Sequence, residues 1–168
     1  MMNRYLFSLL VMGLSTGSVL AGEAKVTWQD PDNYTDVRPA NENKAGFQAR
    51  VFKTLDGVFD SFAKKLPDGY KLQVTVTDLD LAGEVRPMRR PGGQEIRVIK
   101  DIDWPKISFS YILSDQRDQQ VAAGKEDLRD LNFRPGTGIN TGDNLYYEKT
   151  MLNKWFEKQQ EKKIFPMR

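Results

Sequence analysis

The chain contains no cysteine and no histidine. Without cysteine there is no disulfide, no thiol nucleophile and no thiolate metal site, so stability has to come from packing. Without histidine, Ser-His-Asp and Cys-His catalysis are excluded, as are imidazole ligands for zinc or copper. An excess of charge of one sign is missing too: 25 basic side chains stand against 23 acidic ones, a formal balance of +2. A chain so close to neutral offers no strong field for nucleic acid or an anionic membrane. What is left is carboxylate chemistry, Ser/Lys pairs, Tyr/Arg sites and hard cations held by oxygen.

Long hydrophobic runs are also absent. The longest, Tyr5 to Leu14, is well short of the roughly 20 residues that span a bilayer. It follows the positive start Met1-Met2-Asn3-Arg4 and precedes Val19-Leu20-Ala21. Charge, apolar core and an alanine-ending site, in that order, predict a secretory leader over residues 1–21, cleaved after Ala21. No cysteine follows the run, which excludes lipid attachment at a lipobox. The expected product is a single exported domain over residues 22–168, soluble in the periplasm, with no membrane insertion of the mature chain.

Periodicity predicts the elements of that domain. Lys25 to Trp28 reads as a short strand and Asp30 to Asn43 as a loop. Phe47, Val51, Leu55, Val58, Phe59, Phe62 and Leu66 then recur at helical spacing, which predicts an amphipathic helix from Phe47 to Leu66, ended by Pro67-Asp68-Gly69. Leu72, Val74 and Val76 alternate with polar residues, as in a strand with one buried face. Gly83 and Pro87 to Gly93 read as a basic, turn-prone loop, and Ile96 to Ile99 as a short strand. Ile107 to Leu113 and Gln119 to Ala123 make a hairpin about the turn Asp115–Asp118. Phe133 to Asp143 is rich in glycine and reads as a loop. The last helix carries Leu145, Leu152, Trp155 and Phe156 on one face, capped by Asp143 or Asn144. Strand, helix, strand predicts a parallel pair, and the hairpin adds antiparallel strands. The expected class is α+β: a two-layer sandwich with a mixed, mostly antiparallel sheet covered by a long N-terminal helix and a C-terminal helix.

The densest group of reactive side chains is Asp78, Asp80 and Glu84, followed by Asp101 and Asp103 just before Trp104. With the strand in register, Asp78 and Asp80 share the phase of Leu72, Val74 and Val76, where a carboxylate needs a partner. Two readings compete. The carboxylates are strand-end anchors bonded to backbone amides or to Arg86 and Arg97, or they converge as a calcium site or a carboxylate-based hydrolase. The spacing lacks the alternating ligands and closing glutamate of an EF-hand. Ser61-Phe62-Ala63-Lys64 matches a Ser-x-x-Lys nucleophile motif, yet it lies inside the long helix without the companion motifs. The glycines between Arg134 and Gly142 precede a helix, as phosphate loops do, but lack the Gly-Lys-Ser/Thr ending.

Several segments together resemble one family of small exported proteins of Gram-negative bacteria, known as domain of unknown function number three thousand and sixteen. They are Val26 to Pro31 with Tyr34-Thr35-Asp36-Val37-Arg38, Leu66 to Gly69 running through Leu72 to Gly83, Ile96 to Val98, Trp104 to Ile107, and Gly124 to Asp130. The resemblance implies a periplasmic setting and carries no catalytic residue. The resulting expectation is a non-enzymatic protein that binds an envelope protein or polymer, with no cofactor, no bound metal and no nucleic-acid partner. The binding residues expected are Asp78, Asp80, Glu84, Arg97, Asp101, Asp103 and Trp104.

Overall fold

Residues 21–88, 93–133 and 143–168 are described by a computed structural model. The leader before Ala21, the Arg89/Arg90 loop and the glycine-rich loop over 134–142 lie outside the described residues. The chain runs β1 (Glu23–Trp28), α1 (Lys44–Ala63), β2 (Lys71–Asp80), β3 (Glu84–Pro87), β4 (Glu95–Val98), β5 (Lys106–Ser114), β6 (Gln120–Arg129) and α2 (Tyr146–Glu161). Among the described residues the class is α+β with a mixed sheet and two α-helices. The first helix is not N-terminal: β1 and a 3-10 turn at Pro31–Asn33 come before it.

β1, β2, β5 and β6 form one sheet in that order, and β3 pairs with β4 as a separate ribbon. β1 and β2 are parallel, with Trp28 opposite Val76. β2–β5 and β5–β6 are antiparallel. The expected parallel pair and hairpin are therefore present. β6 runs on to Arg129, well past Ala123; its later part was not legible because Lys125, Glu126, Asp127 and Arg129 are charged and leave no alternating apolar signal. β4 corresponds to the short strand expected over Ile96 to Ile99, whereas β3 and its pairing with β4 were not expected. Gly83 and Pro87 read as turn formers, yet Val85 pairs with Arg97 between them.

α1 begins three residues earlier than the apolar face predicts, since Asn43 caps it by accepting the Gly46 amide at 3.1 Å. Its face of Val51, Leu55, Val58, Phe59 and Phe62 is buried. α2 starts at Tyr146 without a side-chain cap at Leu145, while Asp143 accepts the Leu145 amide from just outside. Both helices meet the same row of the sheet: Phe109 lies edge-on to Phe59 at 5.8 Å and to Trp155 at 5.0 Å. Phe62 stacks on Phe156 at 4.4 Å, so the helices also seal against each other. Gly124 is required where it stands, because a Cβ there would lie 2.9 Å from the Tyr111 ring.

Candidate functional site

The site is built around a fault in β2. Pairing with β5 runs regularly to Val76 opposite Phe109 and then shifts, so that Asp78 faces Ser108. Thr77 is the extra residue of this bulge. Burial changes phase across it: Leu72, Val74 and Val76 are buried before it, and Leu79 and Leu81 after it. The expectation that Asp78 and Asp80 point toward the core is therefore corrected. One inserted residue turns both carboxylates to the other side of the strand.

Turned outward, each aspartate finds a local partner. Asp78 accepts the Thr35 amide and the Thr35 hydroxyl, both at 2.7 Å. This pins the segment that follows the 3-10 turn beside β2, where the Asp36 amide donates to the Leu79 carbonyl and the Asp36 carbonyl accepts from the Leu81 amide, a parallel bridge to Asp80. Asp80 pairs with Lys106 at 2.7 Å. Neither aspartate meets Arg86 or Arg97, the partners considered for them, and Arg86 pairs with Glu84.

Arg97 braces a different residue. Its guanidinium donates to the Asp36 carboxylate at 2.9 Å, to the Gly83 carbonyl at 3.0 Å and to the Arg38 carbonyl at 2.8 Å. With only about a fifth of each side chain exposed, the Arg97–Asp36 pair is the most enclosed arginine–carboxylate bridge among the described residues. One planar fork thus holds the Thr35–Arg38 segment, the β4 strand and the Leu81–Gly83 turn together, which a lysine could not do. Gly83 itself has φ +86°, and a Cβ there would lie 2.6 Å from the Val98 carbonyl.

These elements enclose a cleft of about 450 Å³ whose lining includes Thr35, Asp36, Arg38, Asp80, Gly83, Glu84, Ile102, Asp103, Trp104 and Lys106. Of the seven residues expected to bind, Asp80, Glu84, Asp103 and Trp104 line it together. Asp78 and Arg97 stand behind its wall as supports, and Asp101 is exposed on the adjoining turn. Asp103 accepts the Lys100 amide at 3.1 Å and its own carbonyl takes the Gly83 amide. Trp104 packs on Ala82, Phe133 and Tyr147, a small second core. Ile102 stands at the rim with 71% of its surface exposed.

One member of each aspartate pair, Asp80 and Asp103, lines the cleft, while Asp78 and Asp101 do not. Among the described residues, no three carboxylates stand together as a metal ion would need. The nearest approach to unusual acid–base behaviour lies deeper. Glu148 of α2 is only 2% exposed and accepts the Ala82 amide at 2.7 Å, while its second oxygen has no partner. Burial pushes its carboxyl up, against the opposing pull of the Ala82 amide. On the far side of the pinned segment, Tyr34 donates to the Val76 carbonyl, and burial with the nearby Asp78 charge pushes its phenol up to about 12.

Asp36, Arg38, Lys106 and Glu148 were not singled out as site residues. Tyr34 to Arg38 and Trp104 to Ile107 do belong to the segments that carry the family resemblance, which was the available signal. Glu148 had none, since its burial depends on α2 closing over the Ala82 turn. The other two tryptophans are engaged internally. Trp28 stacks on Phe52 at 4.3 Å and donates to Asp56, and Trp155 lies in the main core.

The family model described as "Protein of unknown function (DUF3016)" matches residues 22–158. The chain belongs to that family. No curated protein matches it. Among solved structures, a minor lipoprotein from Acinetobacter baumannii is similar over 88% of this chain and 98% of that chain, at 6% identity and a TM-score of 0.26. That likeness is too loose to carry anything across.

Proposed function

We propose that this family member is exported, loses its leader after Ala21, and works in the periplasm as a single two-layer α+β domain over residues 22–168. Its role is non-catalytic: the cleft at the Gly83 turn docks an envelope protein or polymer. The observation that carries this reading is the commitment of the cleft carboxylates. Lys106 holds Asp80, Arg86 holds Glu84 and the Lys100 amide holds Asp103. A carboxylate engaged in this way is a poor proton shuttle, whereas a general base has to be free to reach its proton. Beside these paired charges, Ile102 and Trp104 offer apolar surface at the rim, the mix of apolar contact and polar edge that recognition sites use.

Two measurements test the reading. Intact mass of the protein recovered from the periplasm should correspond to a chain starting at Gly22. A species retaining Met1 in the membrane fraction would refute export with cleavage. A photo-crosslinking residue at Ile102 should trap a defined envelope component that the same probe at Lys53, exposed on α1, does not. Equal trapping at both positions would remove the cleft as the docking site.

A further inference from the structure

At the other end of the sheet order, β6 is a strand of ten residues, Gln120–Arg129, and among the described residues it is paired on one side only. A row of unpaired backbone groups of that length is a template for another strand. Natural edges are blunted by short length, proline, a mid-strand bulge or a cover. Here the strand has no proline, and its register shift falls at the hairpin end, between Leu113 and Ser114. Among the described residues, charged side chains are the one protective device present: Lys125, Glu126, Asp127 and Arg129 on the strand, of both signs.

Beside the core-facing side of β6 runs a groove of about 370 Å³, shared between β6 and α2. Its α2 wall presents Lys154, Lys158 and Lys162, spaced four residues apart and therefore stacked along one helix face. Lys154 pairs with Asp130 at 2.8 Å. Lys158 and Lys162 make no ion pair or side-chain hydrogen bond among the described residues. Under the lysines lie two polar side chains that are more than nine-tenths buried, Trp155 at 4% and Gln159 at 6% exposure. The Trp155 Nε1 donor and the Gln159 Oε1 acceptor have no partner. Gln159 uses only its amide nitrogen, toward Glu126 at 3.3 Å.

We infer that β6 and the lysine face of α2 form a docking surface for an extended acidic peptide, which adds to the sheet as a fifth strand. Main-chain bonds to the β6 edge provide the attachment, and side chains at alternate positions of the added strand fall over the groove. Carboxylates at those positions meet Lys154, Lys158 and Lys162. A second copy of this chain is the less suitable occupant. Pairing two β6 edges in one continuous sheet places both α2 helices on the same face, and their lysine rows then oppose each other across the two-fold axis. This surface is separate from the Gly83 cleft, so either can fail without the other.

The test uses the mature protein and a capped ten-residue peptide of alternating glutamate and valine, with an alternating lysine and valine peptide as control. Amide NMR and hydrogen exchange are followed at low salt. The acidic peptide should shift β6 amides and slow exchange at the half of them that face outward, while the basic peptide leaves them unchanged. The double variant Lys158→Glu/Lys162→Glu changes only exposed side chains and should keep the native melting temperature. It should weaken acidic-peptide binding by about tenfold or more. Four results overturn the proposal: no β6 response to the acidic peptide, equal responses to both peptides, shifts at the lysines without added protection on β6, or a concentration-dependent dimer of the protein alone that protects the same amides.

Discussion

Glu148 Oε1 accepts the amide of Ala82 at 2.7 Å, across 66 positions of sequence. The bond joins the first turn of α2 to the turn that shapes the Gly83 cleft. It places a carboxyl group where water does not reach and leaves its second oxygen without a partner. Such a group records, in its proton affinity, how tightly the last helix is closed over the turn.

The pH dependence follows from the direction of that shift. Burial raises the Glu148 carboxyl above its ordinary value of 4.5. Its favourable contribution is therefore complete below the unfolded value and is lost as pH rises through the folded one. Glu148→Gln keeps the acceptor for Ala82 and cannot ionise. Urea midpoints measured from about pH 4.5 to 8 should move progressively in the variant's favour relative to the native protein. A difference that stays constant with pH would show that the carboxyl is not desolvated.

Arg97→Ala should cost about 1.5–3 kcal/mol, the range for hydrogen bonds to a charged group, because it frees Asp36 and the Gly83 and Arg38 carbonyls at once. Arg97→Lys should recover less than half of that loss, since one ammonium cannot span the same acceptors. Thermal denaturation of both variants checks it. Full recovery by lysine would mean that charge alone, without the fork, holds the turn.

Asp78→Asn should cost about 1 kcal/mol, the value of a modest hydrogen bond, and not the about 3–5 kcal/mol of a broken buried ion pair. Asp78 faces Thr35 and no cation, so a neutral acceptor replaces most of its role. Millimolar calcium should leave the melting temperature of both proteins unchanged. A calcium-dependent rise lost in the variant would instead place a cation at this segment.

Phe59→Ala should cost about 3–5 kcal/mol as a buried aromatic is removed. The ring is fully buried between Phe62 and Phe109. Lys64→Ala, on the exposed end of the same helix, should change stability by less than about 0.5 kcal/mol. Equal shifts of the denaturant midpoint would mean that α1 presents another face to the sheet.

The contrast between α1 and β2 shows where sequence reading stops. The face of α1 was legible because Val51, Leu55, Phe59 and Phe62 repeat within a few turns of one another, and a helix closes its hydrogen bonds locally. β1, the start of β2 and the β5–β6 hairpin were legible for the same reason, as alternation of buried and polar residues over a few positions. Asp78 was not. Its orientation hangs on Thr77, which looks like any other polar residue of an alternating strand and becomes a bulge only when β5 pairs past it. β4 was legible as a short strand, but β3, with Val85 as its one buried residue, carries too little apolar signal to announce a ribbon and forms by pairing with β4.

By itself, then, the sequence determined the excluded chemistry, the helical face, the alternating strands and the family. Composition and short-range periodicity are complete before the chain folds. The tertiary structure decided which carboxylate met which partner: Asp36 with Arg97, Asp80 with Lys106, Asp78 with Thr35, Glu148 with Ala82. Those pairings join residues from 26 to 66 positions apart. They depend on strand register and helix closure, and one residue of slip in β2 reverses which side of the sheet receives the charge.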